Sequence, residues 1–275
     1  MNAHPYSSDL TDDEWVILGP LVSPGTQAGR PQVLELRRVV DGVFYLLRTG
    51  CQWRALPHDL PPWTAVFYHY AKWRTQGTWE RINAILRERH RVAQGRKAQP
   101  TAAIVDSQST RTTEAGGPRG YDGGKKVSGR KRHILVDTEG NLLKARVHPA
   151  DIHDRRGAEL LLAGLKPQFP HVTLVWADSA YQGLKSWLVD ALGWTLAISK
   201  HWWTGLRGVW GTPGQEPPII PSGFHVIKRR WVVERTFAWI GRNRRMSRDY
   251  ERLVPTSEML LYASMARVTL RRLAK

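Results

Sequence analysis

The sequence predicts an α/β fold in two parts. A small all-α region covers residues 1–95, and an α/β domain with a helix-flanked sheet covers residues 96–275. Three observations predict this. The first ninety residues hold four stretches with helix starts, helical apolar spacing or glycine stops. Two short apolar runs, AAIVD and TLVWAD, have the length and β-branched content of buried strands. Beyond residue 100, strand-like and helical runs alternate, a pattern that builds a sheet covered by helices.

Taken in order, Thr11 and Glu14 form a capping box that starts a first helix, which Gly19-Pro20 and Ser23-Pro24-Gly25 are expected to end. A second helix spans residues 32–48, with Leu36, Val39, Val40, Val43, Phe44 and Leu47 on its apolar face, and Gly50 stops it. A third covers residues 64–76. Gly77 breaks it, and Thr78 caps a fourth that reaches about residue 90. Helix, tight loop, helix with Arg and Lys on the later element is compatible with a helix-turn-helix relative or with a plain packing domain. Residues 91–100 read as a polar, basic linker. Residues 101–106 form a buried strand that ends in Asp106. Residues 114–132, Gly-rich with six basic side chains, read as a flexible loop, either solvated or following a phosphate backbone. Strands at 133–136 and 142–147 make a hairpin around Gly140-Asn141. Asp154 is expected to cap a helix over 155–165. A second apolar strand, 172–178, ends in Asp178. A helix over 182–192, a strand over 194–199, an irregular stretch over 200–223 and a strand over 224–227 follow. A basic helix opens after them. An amphipathic helix over 256–273 closes the chain, with basic residues at its end, where the helix dipole favours them.

Composition narrows the partners. Lys and Arg number 41 against 24 Asp and Glu, a formal charge of +17, which points to a polyanion and most simply to nucleic acid. A membrane surface would require a basic amphipathic helix or a lipidation signal, and neither stands out. No run of eighteen apolar residues suggests a membrane span, and the polar, acidic start lacks the pattern of a signal peptide. The single cysteine, Cys51, fits a reducing compartment. No Walker A sequence appears, so no nucleotide cofactor is expected, and no G-x-S-x-G elbow marks a serine hydrolase. His148, Asp151 and His153 are close in sequence but lack the Cys/His spacing of a zinc module. The 13 Trp are expected mainly in packing. Trp202, Trp203 and Trp210 are alternatives for stacking on a displaced base.

Chemistry concentrates late in the chain. Between Lys228 and Arg248 stand eight basic residues and one acid, Glu234. Arg230 lies four residues before it, on the same helical face. The pair is either an ordinary ion pair on a solvated helix or a metal-binding carboxylate offered to a phosphodiester, with arginines gripping the backbone. Two strands that each end in Asp-Ser add weight to the second reading. Asp106, Asp178 and Glu234 suit a pair of Mg²⁺ ions, because hard cations take oxygen ligands and Mg²⁺ keeps positions open for water and phosphate. Two such ions about 4 Å apart activate an attacking oxygen and stabilise a leaving one. The other acids have plainer places: Asp137 and Glu139 in a hairpin turn, Asp154 as a cap, Asp122 in the Gly-rich loop.

Several segments occur in a telling order: LTDDEWVILGPLV, GRPQVLELRRVVDGVFYLLRTGCQWRALPHDLPP, TWERIN, IVDSQSTRTT, GGKKVSGRKRHILVDTEGNLL, WADSAYQG and RRWVVERTFAWIGRNRRMSRDYE. Across nearly the whole chain they resemble the bacterial insertion-sequence transposases of the DDE type, in the insertion-sequence five group. The resemblance implies a ribonuclease-H-like mixed sheet flanked by helices, with Asp106 on the first strand, Asp178 on the fourth and Glu234 on a late helix. These three would be the catalytic residues and the metal ligands, for two Mg²⁺ ions or for Mn²⁺. It implies double-stranded DNA as partner, both the element's terminal inverted repeats and its target. Water would free a 3′-hydroxyl, which then attacks target DNA with no covalent protein–DNA intermediate. A bacterial cytoplasmic, nucleoid-associated location and an oligomer on paired ends follow from the same resemblance. Candidate DNA contacts are Arg230, Arg235, Arg242, Arg244 and Arg245, with Lys125, Lys126, Arg130 and Lys131 on the Gly-rich segment. Related chains often show Y-x2-R-x3-E-x6-K around the third acid. Arg230 and Glu234 match it, while the Tyr and Lys positions hold Ile227 and Gly241, with Arg242, Arg244 or Arg245 as substitutes. A non-cleaving DNA-binding regulator or domesticated relative, and a structure-specific nuclease on the same fold, are the competing readings.

Overall fold

The computed structural model describes residues 6–22, 34–199 and 229–275. The stretch at 200–223 with its Trp202, Trp203 and Trp210, the strand expected at 224–227 with Ile227, and the expected helix start at residue 32 lie outside them.

The chain opens with helices α1 (Asp12–Val22), α2 (Leu36–Thr49), α3 (Trp63–Thr75) and α4 (Thr78–Ala93). The capping box forms: the Glu14 N–H donates to Thr11 Oγ1 at 3.2 Å, and the Thr11 N–H donates to Glu14 Oε2 at 3.1 Å. Contrary to expectation, α1 runs through Gly19-Pro20 to Val22. Pro20 gives up one helical hydrogen bond, but Leu18 and Val22 are buried on either side of it. Each such side chain contributes about 1.5–3 kcal/mol, enough to offset a proline penalty of about 3 kcal/mol. Gly50 closes α2 at φ 72°, with its N–H on Leu46 O, as expected. Thr78 is the first residue of α4 rather than its cap, a position that Gly77 fills.

The sheet contains β1 (Ala102–Arg111), β2 (Gly120–Asp122), β3 (Val127–Asp137), β4 (Leu142–Pro149), β5 (Leu174–Ala177) and β6 (Thr195–Ile198). Its order is β2-β3-β1-β5-β6, with β4 also paired to β3. β1, β5 and β6 are parallel, while β3 is antiparallel to β1 and to β4. This is the mixed, ribonuclease-H-like sheet that the resemblance implies. Alternation along β1 and β3 splits the core in two. Ala103, Val105 and Leu135 face α5 (Asp154–Leu162) and α6 (Lys185–Leu192). Ile104, Ile134 and Val136 face the side of α7 (Arg230–Gly241), α8 (Val254–Leu273) and α1–α4.

Two expectations are corrected here. β1 continues five residues past Asp106, and β3 begins at Val127, inside the segment read as a flexible loop. Helix α8 is enclosed rather than amphipathic: from Thr256 to Leu270 only Glu258 and Val268 are not buried. It lies between the N-terminal helices and the sheet, so its apolar residues run all round. The helices of residues 1–95 therefore share one continuous apolar cluster with α7, α8 and one face of the sheet.

Candidate active site

The parallel register of β1 and β5 places Ile104 beside Trp176, and Asp106 and Asp178 each follow that pair by two residues. Asp106 shares the face of Ile104, the face that α7 covers. Its Oδ1 accepts the Ser107 N–H at 2.7 Å. Burial pushes the Asp106 carboxyl up to about 6, and the charge of Asp178 adds to the rise, while the Ser107 N–H, Arg230 and Lys125 oppose it. Asp178 caps the 3₁₀ turn Ser179–Leu184, its Oδ1 accepting the Ala180 N–H at 2.9 Å.

Helix α7 supplies the third acid. Arg230 Nη2 lies 3.5 Å from Glu234 Oε1 and 3.9 Å from Asp178 Oδ2. The i,i+4 pair anticipated as the plain reading thus exists, but its arginine is shared with the second aspartate. The fold brings Asp106, Asp178 and Arg230 together, and Glu234 joins them through Arg230. Among the described residues, no three His, Cys, Asp or Glu side chains converge closely enough to hold a metal ion. In kind, the donors fit a hard cation. All are carboxylate oxygens, and burial, helped by the charge of Asp178, holds the Asp106 carboxyl up at about 6, where a bound cation would favour its charged form.

Beneath β1 lies a polar network that sequence reasoning missed. Ser107 Oγ donates to Asp154 Oδ1 at 2.9 Å. Lys131 Nζ stands 3.1 Å from Asp154 Oδ1 and 3.4 Å from Asp122 Oδ2, and donates to Ile152 O at 3.0 Å. Ser109 Oγ donates to Asp122 Oδ2 at 2.6 Å, and Lys125 Nζ donates to Ser107 O at 3.2 Å. Burial raises both acids, but for Asp154 the hydrogen bonds from Lys131 and Ser107 prevail and hold it below the usual range. For Asp122 the bonds from Ser109, Lys125 N–H and Lys131 bring it to about 2. Asp154 is consequently not a helix cap: His153 occupies that position, and Asp154 turns into the network. Next to it, His133 Nδ1 is 2.7 Å from His148 Nε2, and Tyr181 OH is 3.1 Å from His133 Nε2. Burial keeps both imidazoles neutral, His133 down to about 3. The available signal was the hairpin itself. Counting β3 back from Gly140-Asn141 carries the strand through Arg130-Lys131-Arg132.

Several of the residues expected to contact DNA are buried or half-buried in internal contacts. Arg130 is fully buried and donates to Pro118 O, Glu251 O and Arg252 O, with Asp249 3.3 Å away. Lys131 is buried in the network above. Arg245 is buried between Glu251, 2.7 Å away, and Cys51 O. Arg235 is half-buried, donating to Glu139 O at 3.1 Å and lying over the rings of Trp231 and Trp239. Arg132, not singled out from sequence, donates to Met246 O and Arg248 O. Arg130 and Arg132 fasten the last segment of the chain to β3, and Arg245 fastens it to the residues just past α2. Lys125, Lys126, Arg242 and Arg244 are exposed, and Arg230 is part-exposed.

Residues 97–269 match a family model described as a transposase DDE domain, and residues 10–83 match a model for transposases of the IS4/5 family. The chain is 30% identical over 115 residues to the insertion element IS402 uncharacterized 16.2 kDa protein of Burkholderia cepacia, covering 39% of this chain and 76% of that protein. It is 29% identical over 117 residues to the uncharacterized protein y4sN of Sinorhizobium fredii, covering 42% of this chain and 87% of that protein. No solved structure matches.

Proposed function

The chain belongs to the DDE transposase family, whose domain model spans residues 97–269, and from that premise we propose that it binds the terminal inverted repeats of an insertion sequence and catalyses metal-dependent strand cleavage and strand transfer there. One observation carries this reading: Asp106 on β1 and Asp178 just past the end of the neighbouring parallel strand β5 lie side by side, and α7 sets Arg230 against them with Glu234 one turn on.

Asp106, Asp178 and Glu234 would hold Mg²⁺ or Mn²⁺. A metal held there would supply Lewis-acid chemistry, making a water more acidic near neutral pH and offsetting charge on the departing oxygen. The chain's own groups do the rest. Arg230 carries N–H groups suited to a phosphodiester oxygen, beyond its contacts with Asp178 and Glu234. Lys125, held at the Ser107 carbonyl, supplies a cation beside Asp106. The Ser107–Asp154–Lys131 network fixes the strand on which Asp106 sits, as supporting hydrogen bonds do around metal-binding carboxylates. In the first step water attacks the phosphorus at the element's end. The bond to the 3′-oxygen breaks, and that oxygen leaves as a 3′-hydroxyl. In the second step this hydroxyl loses its proton, attacks a target phosphodiester and displaces the target's 3′-oxygen, which takes up a proton. Paired ends call for at least two protomers in the working complex.

A second reading has its own support. Arg230 stands between Asp178 and Glu234, where a cation-filled site would bring the acids together. A chain that kept this arrangement on DNA would bind without cutting. Strand transfer separates the readings. A labelled duplex with a pre-exposed 3′-hydroxyl at the repeat end is incubated with supercoiled plasmid and Mg²⁺. Joined product that Asp178→Asn abolishes supports the transposase. Binding without joining, in Mg²⁺ and Mn²⁺, supports the regulator, and nicking of branched DNA without joining supports a structure-specific nuclease.

A further inference from the structure

Beyond the end of α7, two turns past Glu234, a pocket of about 270 Å³ opens among α2, α7 and α8. Six cations line it, Arg48, Arg242, Arg267, Arg271, Arg272 and Lys275, and none of its lining residues is an acid. We propose that this pocket binds a backbone phosphate of duplex DNA, a contact separate from the carboxylate site. This deepens the DNA-processing reading above and rests on it.

The fold holds these like charges together by neutral groups. Arg267 and Arg271 each donate to Ser7 O at 3.0 Å, and Arg272 lies 4.1 Å over the Trp239 ring, which Arg235 also faces. Among the described residues, the acid within ion-pair distance of this set is Glu14, 3.5 Å from Arg271, while the charges of Asp9 and of Asp137 and Glu139 reach Arg267 and Arg272 from farther off. Six cations outnumber these four acids, and the cavity keeps a net positive charge. Burial lowers Arg267 to about 10, with the charge of Arg271 the next cause. A second feature points the same way. Ser264 lines the pocket, is buried, and its Oγ has no hydrogen-bond partner among the described residues. A phosphate oxygen would satisfy it. The volume is below the roughly 300–1,000 Å³ of sites that enclose small organic ligands, which favours a single phosphate reaching in. Arg242 follows Glu234 by eight residues, roughly 12 Å along a helix at about 1.5 Å per residue. That spans about three to four steps of a duplex at about 3.4 Å each. A strand running along α7 from a reacting phosphate beside Glu234 would bring another phosphate to the pocket.

The test uses the full chain and fluorescence anisotropy with a labelled duplex carrying the terminal repeat, titrated between about 50 and 200 mM salt. The variant Arg242→Gln/Lys275→Gln removes two exposed pocket cations. A charge-matched control, Lys166→Gln/Lys185→Gln, alters the opposite face of the sheet. Each lost phosphate contact makes the slope of log K against log salt shallower by about 0.9, and costs about eight-fold in affinity at about 0.1 M salt. The pocket variant is expected to lose one such contact and the control none. If the two variants match while the wild type binds DNA, the pocket proposal is wrong. If the wild type itself binds no duplex, the DNA-processing reading falls, a result visible without any variant. Inorganic phosphate provides the remaining arm. If it raises the melting temperature of the wild type but not of the pocket variant, and the DNA slope is unchanged, the pocket serves free phosphate and the DNA contact is overturned.

Discussion

Arg130→Met distinguishes a structural fastener from a DNA contact. The guanidinium is fully buried, with Nε on Pro118 O at 2.7 Å, Nη1 on Glu251 O at 2.7 Å, Nη2 on Arg252 O at 2.9 Å, and Asp249 Oδ1 3.3 Å from Nη1. Methionine keeps most of the apolar stem and removes all of these contacts. A buried charge stripped of its partner costs about 3–5 kcal/mol. Asp249 retains Ser257 Oγ at 2.7 Å and the Glu251 N–H at 3.1 Å, which softens the loss. The three stranded carbonyls add about 1 kcal/mol each where water does not reach them. With the charge taken at the low end, about 3 kcal/mol, and the carbonyls at about 3 kcal/mol together, a net destabilisation of about 6 kcal/mol follows, and with a urea slope of about 3 kcal/mol/M the midpoint falls by roughly 2 M. Urea unfolding followed by Trp fluorescence measures this, and anisotropy on a duplex measures the salt slope in parallel. The expected result is a lower midpoint with an unchanged salt slope. A midpoint within about 0.3 M of wild type, with a slope shallower by about 0.9, would refute the reasoning and restore Arg130 as a phosphate contact.

Two further perturbations probe the core. In Gly157→Ala the added methyl would collide with the rings of His133 and His148. Both rings are buried, so the variant is expected to lose about 1–3 kcal/mol, read as a drop in melting temperature; an unchanged value would mean that the imidazole pair is loosely packed. Burial pushes Asp41 up to about 6 despite the Leu10 N–H and Arg38. Its folded value exceeds its unfolded one, so the folded state binds the proton more tightly, and stability from this group falls as pH rises from about 4 to about 6, by on the order of 3 kcal/mol. Asp41→Asn is expected to lose that dependence, so its urea midpoint at about pH 7, taken relative to that at about pH 4, should stand higher than in the wild type. Equal dependence in both proteins would contradict the assignment.

Local signals in this sequence were readable, and features set by distant partners were not. The Thr11–Glu14 box and the Gly50 stop involve neighbours in the chain, so the capping bonds appear where the residue types place them. The strands carrying Asp106 and Asp178 announce themselves by apolar runs, because both are covered on two faces. The first half of β3 looked like a solvated loop, because Arg130, Lys131 and Arg132 are paired with Asp249, Asp154 and the Met246 and Arg248 carbonyls, which lie far away in the chain. The same long-range pairing turned Asp154 from a cap into a partner of Ser107 and Lys131. Burial of α8 was hidden because the elements that cover it most, α4 and β4, come from different parts of the sequence. At the candidate site the acids were legible as residue types at strand ends. The sharing of Arg230 between Asp178 and Glu234 required the third dimension.

The most direct measurement is strand cleavage of a labelled duplex carrying the terminal repeat, in Mg²⁺, by the wild type and by Glu234→Gln. Glu234 is half-exposed and its change leaves the core intact, so folding and DNA binding should persist in the variant. Cleavage at the repeat end by the wild type, lost in Glu234→Gln with binding retained, is the predicted result. Cleavage that survives in Glu234→Gln would remove Glu234 from the reaction. Tight binding by the wild type with no cleavage in either Mg²⁺ or Mn²⁺ would contradict the account and leave a DNA-binding regulator in its place.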